Sequence, residues 1–325
     1  MKIVLDVDKL VENGELTGEQ AERLKSLAAR ETGSLGINVL LSLGVVAIAV
    51  GLVALAPSAT NAILVGAVLA ALGLALIRYR QAQWRLLGAA SVMVGALSVA
   101  GGLVVLWEGN VVAFLLVAII VMALGVLARS GLLIAASPLA LAAALGSSAG
   151  YMEAAYMVIV SEATITIAVF ALLALAAFRL SKRFSADYQR LALVYARMSL
   201  ILVNMGLWVG SLWGDYPGEL WMVGAPSDNP AAFLEKYERW RETALFIPDT
   251  IFVVLWALAL IGVGAWGARR NRRFVVNAAA VFGSIHFYTQ WFERLGAEPL
   301  PVMVGGLIMV GIAIGLWKYN RLARP

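Results

Sequence analysis

The chain has 325 residues, of which 62% are hydrophobic and only 14% charged, with a formal net charge of +5. A water-soluble domain usually carries about 25% charged residues, so these are too few to cover the surface of a soluble fold of this length. Cysteine is absent and histidine occurs once, which removes disulfides, thiolate metal sites, thiol nucleophiles and histidine-rich metal or haem centres. No metal and no cofactor is expected.

In chain order, residues 6–31 read as a short helical hairpin. Gly14 breaks the first helix, and Thr17 with Gln20 three residues on has the form of a capping box for the second. Leu10, Val11, Leu16, Leu24 and Leu27 offer it an apolar seam. Residues 1–33 are therefore expected as a cytoplasmic hairpin, and residues 34–325 as a transmembrane helical domain.

Ten apolar stretches follow, at about 35–56, 62–77, 86–107, 111–128, 131–150, 162–178, 191–213, 250–267, 275–291 and 300–317. Runs of this kind reach across about 30 Å of hydrocarbon. In lipid every peptide group must find a partner within its own segment or in a closed barrel. Continuous apolar runs, rather than alternating ones, select helices. The expected fold is all-α: a polytopic bundle of about ten spans with both termini cytoplasmic.

Charge supports that topology. With the N-terminus inside, 20 of the 25 lysines and arginines fall in cytoplasmic segments. Lys236, Arg239, Arg241 and Arg294 lie outside, and Arg197 lies within a span. The basic excess is a topology signal and does not call for nucleic acid. A multi-pass protein of a bacterial cytoplasmic membrane is the expected setting, with membrane lipids as its surroundings.

The stretch 131–162 is ambiguous. Pro138 and the run Gly146-Ser147-Ser148-Ala149-Gly150 interrupt it. Either the sixth span begins at Glu162, or one long helix begins near Met152 with Glu162 buried inside it, or the segment is re-entrant.

Three spans repeat a pair of glycines seven residues apart followed by leucine: Gly44/Gly51-Leu52, Gly66/Gly73-Leu74 and Gly95/Gly102-Leu103. Glycines at this spacing share a helix face and let a neighbouring backbone approach closely.

An ionisable or strongly polar side chain within a span is costly and marks a candidate site. On the seventh span Arg190, Arg197, Asn204 and Ser211 recur every seven residues, so Arg197, Asn204 and Ser211 form one polar stripe. Glu162 lies among Ser161, Thr164 and Thr166. It either decorates a helix N-terminus or is a buried proton or cation site. His286 and Gln290 share a face of the ninth span. These six are the candidates for a transport path, with snorkelling, ion pairing and ordinary hydrogen bonding as the plainer readings.

The long outer segment 214–249 contains an amphipathic helix, with Asn229 as cap and Pro230 as first residue. Phe233, Tyr237 and Trp240 share one face, while Glu235 and Arg239 pair across a turn. Residues 1–33 and 230–245 are the segments available to a protein partner. Glu108, Glu153, Asp215 and Asp249 are carboxylates of the outer side from which a catalytic pair would have to come, and no motif selects any of them.

The N-terminal LVENGELTGEQAERL, the LGVVAIAVGLVAL helix, the penultimate FGSIHFYTQWFERLG and the closing VMVGGLIMVGIAIGLW together resemble a broad bacterial family of polytopic membrane proteins with no assigned activity. That resemblance implies topology and carries over no functional residue. The leading expectation is transport or permeation of a small solute or ion. The alternatives are a structural or assembly protein of the membrane and an enzyme acting on a lipid-linked substrate.

Overall fold

The computed structural model describes residues 7–14, 16–79, 84–152, 155–222, 230–296 and 298–322. Asn229 and Glu153, and the side chains of Leu24 and Leu27, lie outside what is described. The chain divides into two compact units, residues 1–134 and 135–325.

The first unit opens with α1 (Val7–Glu12), a turn at Gly14, and α2 (Gly18–Leu55). Gly14 has φ +72°, a left-handed conformation that glycine adopts at no steric cost. The capping box forms: Gln20 N–H donates to the Thr17 hydroxyl, and the Gln20 side chain accepts from Thr17 N–H. α2 then runs 38 residues without a break, so the second hairpin helix and the first apolar stretch are one rod. At roughly 1.5 Å per residue it is about 57 Å long, nearly twice a bilayer core.

α3 (Ala59–Arg78), α4 (Arg85–Leu106) and α5 (Val111–Leu127) follow, with α6 (Gly131–Ala144) beginning in this unit. Ser58 caps α3 by accepting from Asn61 N–H, and the Asn61 amide donates to the Leu52 and Ala56 carbonyls left open at the end of α2. α3 and α4 pack antiparallel, backbone against backbone. A Cβ on Gly66 would lie 2.7 Å from the Gly95 carbonyl, and one on Gly73 2.7 Å from the Gly88 carbonyl. Two of the three glycine pairs thus serve one interface, while a Cβ on Gly44 or Gly51 would meet nothing within 4 Å among the described residues outside its own turn of helix.

In the second unit α6 ends at Ala144, 14 residues from its start and about 21 Å long, shorter than a bilayer core. The chain turns at Gly146, φ +78°, into a two-stranded antiparallel hairpin of β1 (Ser147–Met152) and β2 (Ala155–Val160), with Ser147 opposite Val160. Neither a span reaching residue 150 nor a helix from Met152 forms. The reason is local: Val158-Ile159-Val160 is β-branched, and Gly150 disfavours a helix interior.

Then come α7 (Ala163–Ser181), α8 (Ala186–Trp213), α9 (Glu219–Met222), α10 (Pro230–Thr243), α11 (Asp249–Arg269), α12 (Arg273–Leu295) and α13 (Pro299–Leu322). Gly206 lies against Ala163, Gly210 against Phe252 and Gly267 against Val275, so α7, α8, α11 and α12 alternate in direction. Arg179, Lys182 and Arg183 end α7, and Arg269 to Arg273 turn α11 into α12, at one end of this bundle. Glu162, Asp215 and Asp249 sit at the other. The core between them holds Leu207, Phe252, Trp256 and Phe282.

Among the described residues five helices, α3, α4, α7, α8 and α11, are long and apolar enough to cross a membrane, and no more than 33% of any of their apolar windows is buried. Leu72, Leu97, Leu172, Leu258 and Ile261 point outward. Contiguous apolar surface on this scale is foreign to a monomeric soluble protein. The chain has the make-up of a membrane-spanning protein, and its described residues are all-α apart from one hairpin.

Candidate functional site

α8 ends at Trp213 because Gly214 takes φ +69°, where a Cβ would lie 2.7 Å from the Ile247 carbonyl. The chain leaving α8 pairs with the chain entering α11: Asp215 and Ile247 exchange both backbone hydrogen bonds at 2.9 Å. This fixes the Asp215 side chain beneath the start of α7. Ala163 N–H and Thr164 N–H donate to its two oxygens at 3.3 and 2.8 Å. A carboxylate there answers both the open donors and the positive end of the helix dipole.

Glu162, the residue before α7, returns the arrangement. It is fully buried, and its two oxygens accept from Gly218 N–H and Leu220 N–H, each at 2.7 Å. Each carboxylate therefore closes the segment that carries the other. Ser161 adds a third tie by donating to the Gly146 carbonyl at 3.0 Å, which binds the hairpin to the same end. Of the two sequence readings of Glu162, the helix-terminus position is the one observed, and the carboxylate is buried as well.

Above these ties lies a cavity of about 790 Å³. Met157 to Val160 of β2 form one apolar wall, and Trp208, Leu212 and Trp213 of α8 another. The polar rim is Tyr216, Glu219, Tyr237 and Arg241. The Arg241 guanidinium donates to the Tyr216 hydroxyl at 3.1 Å and stands 4.5 Å from the Tyr216 ring centre and 5.4 Å from that of Tyr237. Tyr237 hydrogen-bonds Glu219. Burial pushes the Glu219 carboxyl above its ordinary value, against the opposing pull of Arg241 and Tyr237 and with a further push from Asp215. Tyr216 also packs on Phe246 at 4.7 Å and on Trp240 at 6.0 Å. α10 is thereby pinned over the end of α8 by the same aromatic face that its sequence pattern predicts.

A second polar cluster lies between α8, α11 and α12. Asn204 is buried; its amide donates to the Leu200 carbonyl at 2.8 Å, and its oxygen accepts from the Trp256 indole at 2.9 Å. The Trp256 ring meets His286 edge-on, 4.8 Å between centres. The Trp208 indole, on the cavity wall, donates to the Thr289 hydroxyl at 3.1 Å. Among the described residues, His286 Nδ1 and Gln290 Nε2 are buried without a hydrogen-bond partner. Such groups are uncommon in folded proteins and costly to leave unmade.

Of the six sequence candidates, Asn204 and His286 are brought together through Trp256, with Gln290 one turn further on. Ser211 is buried at the cavity end, and its hydroxyl donates to the Trp208 carbonyl of its own helix at 2.7 Å. Arg197 stands apart. It is exposed, and its guanidinium lies 4.9 Å from the Phe274 ring centre, in the first turn of α12. The heptad stripe is buried over the half of α8 that α11 and α12 cover, and exposed nearer the basic end. Both oxygens of Asp215 are taken by backbone N–H groups, and Asp249 is exposed at the start of α11.

Sequence reasoning missed Tyr216, Glu219 and Arg241, which make the polar rim, and Trp208, which joins the cavity to the buried cluster. The aromatic face of α10 was a usable signal. Nothing in local spacing links residue 216 to residue 241.

Compared with protein-family models, with curated proteins and with solved structures, the chain matches none of them. The family resemblance read from its two ends remains an expectation.

Proposed function

We propose that this is a multi-pass protein of a bacterial cytoplasmic membrane that binds a small solute in the cavity at the end of α8 and passes it toward the Asn204–His286 cluster. One observation carries the reading: Trp208 belongs to both places, lining the cavity while its indole reaches Thr289, between His286 and Gln290 on α12. A cavity of about 300–1,000 Å³, mostly apolar with a few convergent polar groups, is the usual form of a small-molecule site. Unpartnered polar atoms beneath it suit a solute or water that moves through. The arginines gathered at the opposite bundle end favour the cytoplasm for that end and the outer side for the cavity.

The test is flux. The purified chain is reconstituted into vesicles, and uptake of a panel of labelled amino acids, sugars, polyols and organic ions is compared with empty vesicles. At least one solute should enter by a saturable route. His286→Ala and Trp208→Leu should each slow that route at least tenfold without changing the helical circular dichroism. Arg197→Ala measures how far along α8 the path extends, and unchanged flux ends it short of residue 197. Protein-dependent uptake of no solute would overturn the proposal.

A further inference from the structure

This inference rests on the cavity being the solute site, and it names the class of solute. Among the carboxylates at this end of the second unit, Glu162, Asp215 and Glu219 act on one another: Asp215 and Glu219 each repel Glu162, and Asp215 repels Glu219. Glu162 and Asp215 are fixed in place by four backbone N–H groups, and Asp215 lines the cavity. Among the described residues that line the cavity the sole basic group is Arg241. β2 brings no charge, α8 brings none beyond Asp215 at its end, and α10 brings Arg241 and the Tyr237 hydroxyl. An anion entering here meets an excess of negative charge. A cation meets the complement.

The walls narrow the choice further. Arg241 shows where a cation rests: over the faces of Tyr216 and Tyr237, with Glu219 alongside. Aromatic rings attract organic cations through their quadrupole, and more strongly where water is excluded. A bare metal ion would want several oxygen ligands. Among the described residues no group of three or more histidine, cysteine, aspartate or glutamate side chains is placed to hold one. Beside the cation position lie Met157 to Val160 and Leu212, which can take alkyl or aryl substituents. Arg241 itself is exposed, at the tip of a long side chain on a helix that joins the cavity only along one face, so its guanidinium is the group a ligand can displace.

The geometry points to a site for an organic cation with an apolar body, an alkyl- or aryl-substituted ammonium or guanidinium, for which Arg241 is the built-in competitor. Glu219 supplies the counter-charge, and Tyr216 and Tyr237 the aromatic faces.

The experiment is equilibrium binding by calorimetry to the full chain in nanodiscs of zwitterionic lipid, with protein-free nanodiscs as blank. The probe is benzyltrimethylammonium, and its uncharged counterpart is neopentylbenzene, in which carbon replaces the nitrogen. Saturable binding of the cation is expected, with at least tenfold weaker binding of the neutral compound. Glu219→Gln should weaken cation binding at least tenfold, and Arg241→Gln should strengthen it by a similar factor. Loss in one variant and gain in the other cannot both arise from damaged folding. Equal binding of the two probes, no saturable binding of the cation, or affinity unmoved by both substitutions would overturn the inference. Saturable cation binding without flux would leave the site standing and remove the transport reading. Flux of a neutral or anionic solute without cation binding would do the reverse.

Discussion

The helix pairs α3–α4 and α7–α8 are both antiparallel and apolar, and they are closed by opposite chemistry. Between α3 and α4 the contact is peptide group against peptide group, with Gly66, Gly73, Gly88 and Gly95 keeping side chains out of the way. Nothing along that seam titrates. α7 and α8 pack through Gly206 and larger side chains, and their open end is tied by two carboxylates that each accept two backbone N–H groups. In lipid, dispersion and close approach suffice to join helices, so charge is not needed for packing. Where charge is nonetheless buried, as at Glu162 and Asp215, it builds something that packing alone does not. Here it is a fixed loop after α8 with a cavity above it.

The largest effect is expected of Glu162→Ala. It strands the N–H groups of Gly218 and Leu220 in a buried site, at a cost of about 1–3 kcal/mol each. Glu162→Gln keeps one acceptor and turns an amide N–H₂ toward the other donor, so it should fall between. Thermal unfolding in detergent, followed by tryptophan fluorescence, should rank the alanine variant lowest, then glutamine, then the parent chain. If alanine melts with the parent, the carboxylate ties are dispensable, and α7–α8 is held by packing as α3–α4 is.

Next in size is Gly95→Ala. Its Cβ would fall 2.5 Å from the Gly66 carbonyl and 2.6 Å from Ala70 N, both backbone atoms that cannot rotate away. Forcing the helices apart should cost about 1–3 kcal/mol. Gly51→Ala is the matched control, since nothing lies within 4 Å of that position. It should be neutral or gain up to about 1 kcal/mol from better helix propensity. An equal loss at both positions would mean that glycine matters there through the backbone alone and not through contact.

This difference also explains what the sequence disclosed. The glycine seam follows from a seven-residue spacing, because a helix converts that spacing into a face without help from the rest of the chain. The Thr17–Gln20 box is legible for the same reason: all its atoms lie within one turn. Glu162 was visible as a costly residue, yet its partners are more than 50 residues away, and only the Asp215–Ile247 pairing brings them near. The stripe on α8 was legible as a period. Which half of it is buried depends on where α11 and α12 lie, and a single helix does not encode that. The β-hairpin was read as an interruption rather than as strands, since its apolar residues also suit a membrane helix and pairing alone decides between them.

The smallest expected effect is the most informative about purpose. Burial raises the Glu219 carboxyl, and the attraction of Arg241 and the Tyr237 hydrogen bond only partly offset that. A carboxyl whose value is raised on folding favours the protonated native state. Its contribution to stability is therefore fully present below the unfolded-state value and is lost as pH rises through the folded one. At neutral pH the ionised Glu219 is a modest burden on the fold, moderated by its partial exposure. Glu219→Gln, which mimics the protonated acid, should thus melt slightly above the parent chain at neutral pH and together with it in acid. The same substitution is expected to cost at least tenfold in cation affinity. A residue that weakens the fold where it strengthens binding is retained for the ligand, and the α3–α4 seam, which no ligand meets, should hold no such residue. Were Glu219→Gln to melt below the parent at neutral pH, the carboxylate would be one more tie of the Glu162 kind, held for the fold and not for the ligand.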